Sequence, residues 1–178
     1  MKKKLWIMAC TFFMSIGIFA QSGPQTADDY NDFGGYLLDN GEYDLAIKAF
    51  TQAIQLNPNL LNAYANRGIT YFLKGDYDQA LADLNQAIRL DPNNALSYSN
   101  RGRIYYEKKD YERAISDYNA VLRTQPNNKN ALLFRGYSYY YQKDYNRAIS
   151  DFEAALRIDP NDANAKQWLD SARQQRGR

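Results

Sequence analysis

Arg67, Arg101 and Arg135 stand at equal intervals, and Asp83, Asp117 and Asp151 follow them at the same interval. Two chemistries are open to such columns. A guanidinium and a carboxylate can pair through a two-pronged hydrogen bond, or a row of arginines can meet an anionic ligand. The sequence favours pairing, because one period earlier the columns hold Phe33 and Ala49, so that both partners are lost together. A half-buried pair of this kind, within a repeat or across to the next, fixes register more than it adds stability. A ligand role for the arginines is the alternative.

Other catalytic chemistries find little material. The chain has no histidine and one cysteine, Cys10, so the commonest general bases, thiol nucleophiles and soft-metal ligands are missing. Asp28, Asp29, Asp76 and Asp78 fall where helices should begin, and capping accounts for them. The run Asp159-Pro160-Asn161-Asp162 lacks the glycine and distal glutamate of a calcium loop. No enzyme activity, metal or cofactor is expected. Nucleic acid is not an expected partner either, since the basic residues form no face along the helices. What the chain does hold is an aromatic surface: 16 tyrosines and 8 phenylalanines, gathered at Tyr71-Phe72, Tyr105-Tyr106 and Tyr139-Tyr140-Tyr141.

The elements that must position these residues follow from the period. Gly34, Gly68, Gly102 and Gly136 recur in the same step, as do Ala46, Ala80, Ala114 and Ala148, then Phe50, Leu84, Tyr118 and Phe152, then Pro58, Pro92, Pro126 and Pro160. A period of about 34 residues marks a stack of supersecondary units, none of which can bury its apolar face alone. Within residues 61–94, Tyr64, Gly68 and Tyr71 share a helical face, and Ala80, Leu81, Leu84, Ala87 and Ile88 form another. Gly75 suits the end of the first helix and Asp76 the cap of the second, with Glu42, Asp110 and Asp144 in the equivalent place. Pro92 ends the second helix, and Asn93 and Asn94 lead into the next. A mid-helix glycine costs about 0.8 to 1 kcal/mol against alanine, so the glycine column implies a close approach, expected here from the alanine column. Tyr71, Tyr105 and Tyr139 sit in the packing column, whereas Phe72, Tyr106 and Tyr140 are turned by about 100° from it.

Residues 1–20 differ in kind: Lys2, Lys3 and Lys4 precede an apolar run from Leu5 to Ala20. This is the pattern of a secretory signal peptide, with cleavage expected after Ala20 and a short linker over residues 21–26. Only Leu5 to Ala9 precede Cys10, too short an apolar region for a lipidated leader. Without Lys2, Lys3 and Lys4 the 22 basic residues become 19 against 20 acids, a formal charge of −1. The charge is uneven, with acids concentrated over residues 27–60 and Lys166, Arg173, Arg176 and Arg178 at the other end.

The columns resemble the tetratricopeptide repeat. Tyr64, Gly68, Tyr71, Ala80, Leu84, Ala87 and Pro92 match its signature, as do Tyr98, Gly102, Tyr105, Ala114, Tyr118 and Pro126, with Leu132 and Val121 as conservative departures. The resemblance implies an all-α fold: an α-solenoid of four 34-residue helix-turn-helix repeats over residues 27–60, 61–94, 95–128 and 129–162, wound as a right-handed superhelix. Residues 163–178, with Trp168 and Leu169, would supply a capping helix and a basic tail. In the family the first helices line a concave groove that holds an extended peptide or a partner helix. Carried onto this chain, the groove comprises Asn62, Asn66, Ile69, Phe72, Leu73, Asn100, Arg103, Tyr106, Asn130, Phe134, Tyr137, Tyr140 and Tyr141. Tyrosine and asparagine suit such recognition, one through rigid amphipathic area and the other by pairing with a ligand backbone. A family subtype grips a terminal carboxylate with basic groove residues. Here Asn31, Asn66, Leu96 and Asn100 stand in those places, so that clamp is not expected. The resulting expectation is an exported, periplasmic or extracellular interaction scaffold with a protein or peptide partner and no membrane insertion after cleavage. Glycan binding is the alternative, and a homo-oligomer stacked acidic end on basic end is a third reading.

Overall fold

The computed structural model describes residues 23–177. The leader expected over residues 1–20 and its cleavage after Ala20 lie outside the described residues, which form nine α-helices and no strand. Four pairs follow one another: α1 (Ala27–Asp39) with α2 (Tyr43–Leu56), α3 (Leu61–Leu73) with α4 (Tyr77–Leu90), α5 (Ala95–Glu107) with α6 (Tyr111–Thr124), and α7 (Lys129–Tyr141) with α8 (Tyr145–Ile158). A last helix, α9 (Ala163–Arg176), closes the stack.

Local chemistry explains the boundaries. Thr26 and Asp29 open α1 with a reciprocal pair of bonds: the Asp29 amide donates to Thr26 Oγ1 at 3.1 Å and the Thr26 amide to Asp29 Oδ2 at 2.9 Å. Asp76, Asp110 and Asp144 cap α4, α6 and α8 by accepting from the amides of Gln79, Arg113 and Arg147. Glu42, in the equivalent place, makes no such bond. Its extra methylene carries the carboxylate past the amides that an aspartate reaches. Each turn inside a pair closes with two crossed backbone bonds, for example Gly75 N to Phe72 O and Asp76 N to Tyr71 O, both 2.9 Å. That closure requires a left-handed residue. Gly41 and Gly75 supply it at φ 74° and 83°, but Lys109 and Lys143 adopt it at 60° and 63°.

Packing is one-dimensional. Each helix touches its sequence neighbours, and each first helix also touches the first helices on either side, from α1 through α3, α5 and α7 to α9. Among the described residues no second helix meets another second helix. The first helices therefore form a continuous inner wall, and the second helices fan out behind them. The glycine column does permit close approach, chiefly to the next large apolar column. A Cβ on Gly34 would lie 2.6 Å from Phe50 Cε1, and one on Gly136 would lie 2.8 Å from Phe152 Cε1. At Gly102 it would meet Asp117 Cβ and Tyr118 Cζ at 3.2 Å, and at Gly68 it would meet Leu84 Cγ at 3.0 Å. The expected glycine-to-alanine contact holds at Gly68, where a Cβ would lie 3.3 Å from the Ala80 carbonyl oxygen, while at the other three glycines the nearest atoms belong to the aspartate and large apolar columns. The next apolar column fills the space, because a ring or a leucine reaches further than a methyl group. Ala46, Ala80, Ala114 and Ala148 are fully buried beside it.

The candidate binding groove

The arginine column is positioned by α3, α5 and α7, and the aspartate column by the second helix of the same pair. Arg101 Nε donates to Asp117 Oδ2 at 2.9 Å and Nη2 to Oδ1 at 2.6 Å. Arg67 with Asp83 and Arg135 with Asp151 repeat this fork. The third guanidinium nitrogen reaches back to the preceding pair, to Thr51, Asn85 and Asn119 in turn. Each arginine therefore ties its own two helices together and fastens them to the previous pair. At the end of the stack Arg173 of α9 bonds Glu153, which stands one period after Asn119. Burial pushes the Asp117 and Asp151 carboxyls above the usual range, against the pull of Arg101 and Arg135. The aspartates raise the guanidinium pKa values in return, chiefly through the hydrogen bonds. With all three nitrogens of each guanidinium bonded inside the stack, the arginine column serves the fold.

The inner wall carries the second set. Asn62 and Asn130 are exposed, as are Leu73 and Arg103, while Asn66, Ile69, Phe72, Asn100, Tyr106, Phe134 and Tyr140 are half-buried. Asn66 donates to Asn31 Oδ1 across the first two pairs at 3.1 Å, and Asn100 turns back to the Leu96 carbonyl. The Arg103 guanidinium lies 5.3 Å from the Phe72 ring centre and 5.9 Å from that of Phe134. Tyr106 is the hub of the aromatic surface. Its ring lies 5.6 Å from Phe134, 5.9 Å from Tyr111 and 6.1 Å from Tyr141. Burial and the neighbouring Tyr141 push its hydroxyl well above the usual tyrosine range. Tyr141 stacks on Tyr111 at 5.2 Å and is 45% exposed; Leu73 and Leu96 on the same wall are 50% and 56% exposed.

One expected groove residue is not presented. Tyr137 is buried, with Trp168 5.0 Å from its ring and its hydroxyl accepting from Asn164 Nδ2 at 2.9 Å. The closing helix covers it. Tyr140 is drawn the same way, edge-on to Trp168 at 5.0 Å and to Tyr145 at 5.4 Å. Tyr111 was not read as part of this surface, and Trp168 was read as part of the closing helix but not as a neighbour of Tyr137. The signal for Trp168 was available, since it stands one period after Phe134 and continues the column of Asn66 and Asn100.

The packing tyrosines are held from outside. Arg113 and Arg147, each bonded to the aspartate that caps its own helix, lie 4.5 Å over Tyr105 and 4.4 Å over Tyr139. Tyr71 has Gln79 in the corresponding place and is only half-buried.

Comparison with known proteins gives the architecture a name. Sequence profiles described as TPR repeat match residues 36–75 and 70–109, and one described as Tetratricopeptide repeat matches residues 99–163. No curated protein matches the sequence. Among solved structures the chain is similar to MamA protein at 23% identity and a TM-score of 0.80, covering 85% of this chain and 82% of that one. It is also similar to YrrB, described as a TPR protein with an unusual peptide-binding site, at 20% identity and a TM-score of 0.77, covering 85% and 78%. In the APC/C hetero-tetramer Cut9-Hcn1 the match is 24% identical with a TM-score of 0.75, over 83% of this chain and 30% of that one. With profile matches running from residue 36 to residue 163, over the same glycine, alanine and proline columns that build the helix pairs, the chain belongs to the tetratricopeptide repeat family.

Proposed function

We propose that this chain is a non-catalytic interaction scaffold of the bacterial cell envelope, which holds an extended peptide or a partner helix against the inner wall formed by its first helices. One observation carries the reading: Leu73, Leu96 and Tyr141, about half exposed each, lie on a wall already paved by Phe72, Arg103, Tyr106 and Phe134. Large apolar groups gathered on one face of a soluble fold mark a contact surface. The wall is built on helices locked by the arginine-aspartate forks, so it meets a ligand in a preformed shape and loses little entropy on binding. The similarity of YrrB, itself described as peptide-binding, supports a peptide ligand. The basic, apolar leader of residues 2–20 supports export.

The test is crosslinking in the cell with a photoreactive residue at position 141, compared with one at Ser116, which is exposed on α6. A discrete protein adduct from position 141 in the envelope fraction, absent from position 116, is the expected result. Adducts from position 116 alone would place binding on the outer face. Recovery of all adducts in the cytosolic fraction would refute the envelope assignment.

A further inference from the structure

The inner wall contains a cation with no counter-charge. Arg103 is exposed, makes no hydrogen bond or ion pair among the described residues, and is held only by the Phe72 and Phe134 faces on either side. Lys74 and Lys108, the cations that end α3 and α5, are paired with Asp44 and Asp78 of the preceding repeats. Glu107, one turn beyond Arg103, forms no ion pair with it.

A second, independent feature lies beneath. Tyr118 reaches from α6 past Gly102 toward the inner wall, with its ring stacked on Phe134 at 5.8 Å. It is 1% exposed, and its hydroxyl has no hydrogen-bond partner among the described residues. Tyr118 Cζ, the carbon that bears the hydroxyl, would lie 3.2 Å from a Cβ on Gly102, which places the polar end of Tyr118 against α5 beside the residue that precedes Arg103. An unpartnered buried hydroxyl is costly, and an idle donor on the same stretch of wall as a bare guanidinium is what an anionic acceptor would complete.

On the groove reading given above, we propose that Arg103 and Tyr118 form an acid-reading position, which takes the side-chain carboxylate of one Asp or Glu in an extended peptide, with an apolar neighbour of that acid on Phe72 or Tyr106. A guanidinium between two aromatic faces is preoriented, and its fork matches a carboxylate better than any other side chain. Glu107 and the acids of the first repeat, Asp28, Asp32 and Asp39, oppose a run of acids, so the position selects a single one.

The experiment selects random octapeptides, displayed as internal segments on phage, against the purified chain. The best sequences are then remade as acetylated, amidated peptides so that only side chains carry carboxylates. The expected result is one fixed Asp or Glu beside an apolar residue. Asp→Asn or Glu→Gln in the peptide should weaken binding by roughly tenfold or more, the scale of a charge-assisted hydrogen bond. Arg103→Gln should abolish that difference without lowering the melting temperature. Tyr118→Phe should keep the fold and weaken the acidic peptide by about threefold or more. Peptides that bind the wall, as judged by their loss in Tyr141→Ala, but carry no acid would overturn this inference and leave the groove standing. Equal affinity for acid and amide forms, or discrimination that survives Arg103→Gln, would do the same. Unchanged affinity in Tyr118→Phe would remove the hydroxyl from the site. Failure to enrich any peptide would overturn the groove reading and this inference together.

Discussion

Removing Arg101 from its fork should be among the most damaging single changes in this chain, and the structure sets its size. Asp117 is 3% exposed and receives two bonds from Arg101, at 2.9 and 2.6 Å, while the third guanidinium nitrogen bonds Asn85 of the preceding repeat at 2.6 Å. Arg101→Ala strands a buried carboxylate and unties two repeats, a loss of about 3 to 5 kcal/mol. Asp117→Ala should cost less, about 2 kcal/mol, because Arg101 keeps Asn85 and is partly open to water. The double variant removes both charges and should cost less than the sum, giving a coupling of about 1 to 3 kcal/mol. Urea unfolding of the four proteins, followed by circular dichroism, measures the cycle. A second cycle of Arg101 with Asp83 should show no direct coupling, since Asp83 is engaged by Arg67. Full additivity of Arg101 and Asp117 would refute the structural role and return these arginines to the list of ligand contacts.

Three further outcomes follow from the packing and the turns. Gly34→Ala should cost about 1 to 2 kcal/mol despite its better helix propensity, because the new methyl would lie 2.6 Å from a fully buried Phe50 ring, whereas Gly102→Ala, with contacts at 3.2 Å, should be near neutral; equal melting temperatures would contradict the close-approach argument. Lys109→Gly should raise stability by about 0.5 to 1 kcal/mol by relieving the left-handed turn, and a lower melting temperature would show that the lysine side chain matters more than its backbone. Arg147 and its backbone amide hold the Asp144 carboxyl below its ordinary value of 3.8, so its stabilisation is present above that pH and lost as the pH falls through the lowered value. Asp144→Asn should accordingly melt below the wild type at pH 6 and converge with it as the pH falls well below 3.8, and a gap that persists in acid would refute the ionic origin.

The fold was legible because its evidence is redundant. Gly68, Ala80, Leu84 and Pro92 each repeat in phase, and no accident of one segment disturbs all four columns. The arginine-aspartate pairing was legible for the related reason that Phe33 and Ala49 replace both members at once. Contacts between columns were harder to read. Periodicity places Gly102 on the face that meets α6, but it does not say whether Ala114 or Tyr118 reaches that face, and side-chain length decides for Tyr118. The groove failed in the same way at Tyr137. Helical phase alone puts it on the inner wall, and only the arrival of Trp168 from α9 covers it. The Arg103 sandwich combines residues of three repeats, Phe72, Arg103 and Phe134, and requires the stacking geometry to be known.

The central claim is that the inner wall is the binding surface. The most direct test is the affinity of the crosslinked partner, once purified, for the wild type and for Leu96→Ala with Tyr141→Ala, measured by calorimetry at a temperature where both remain folded. These residues are 56% and 45% exposed, so their removal should leave helicity and melting nearly intact. The account predicts a loss of about 2 kcal/mol or more, close to thirtyfold in dissociation constant. Unchanged affinity in a fully folded double variant would contradict it and move the binding surface to the outer helices.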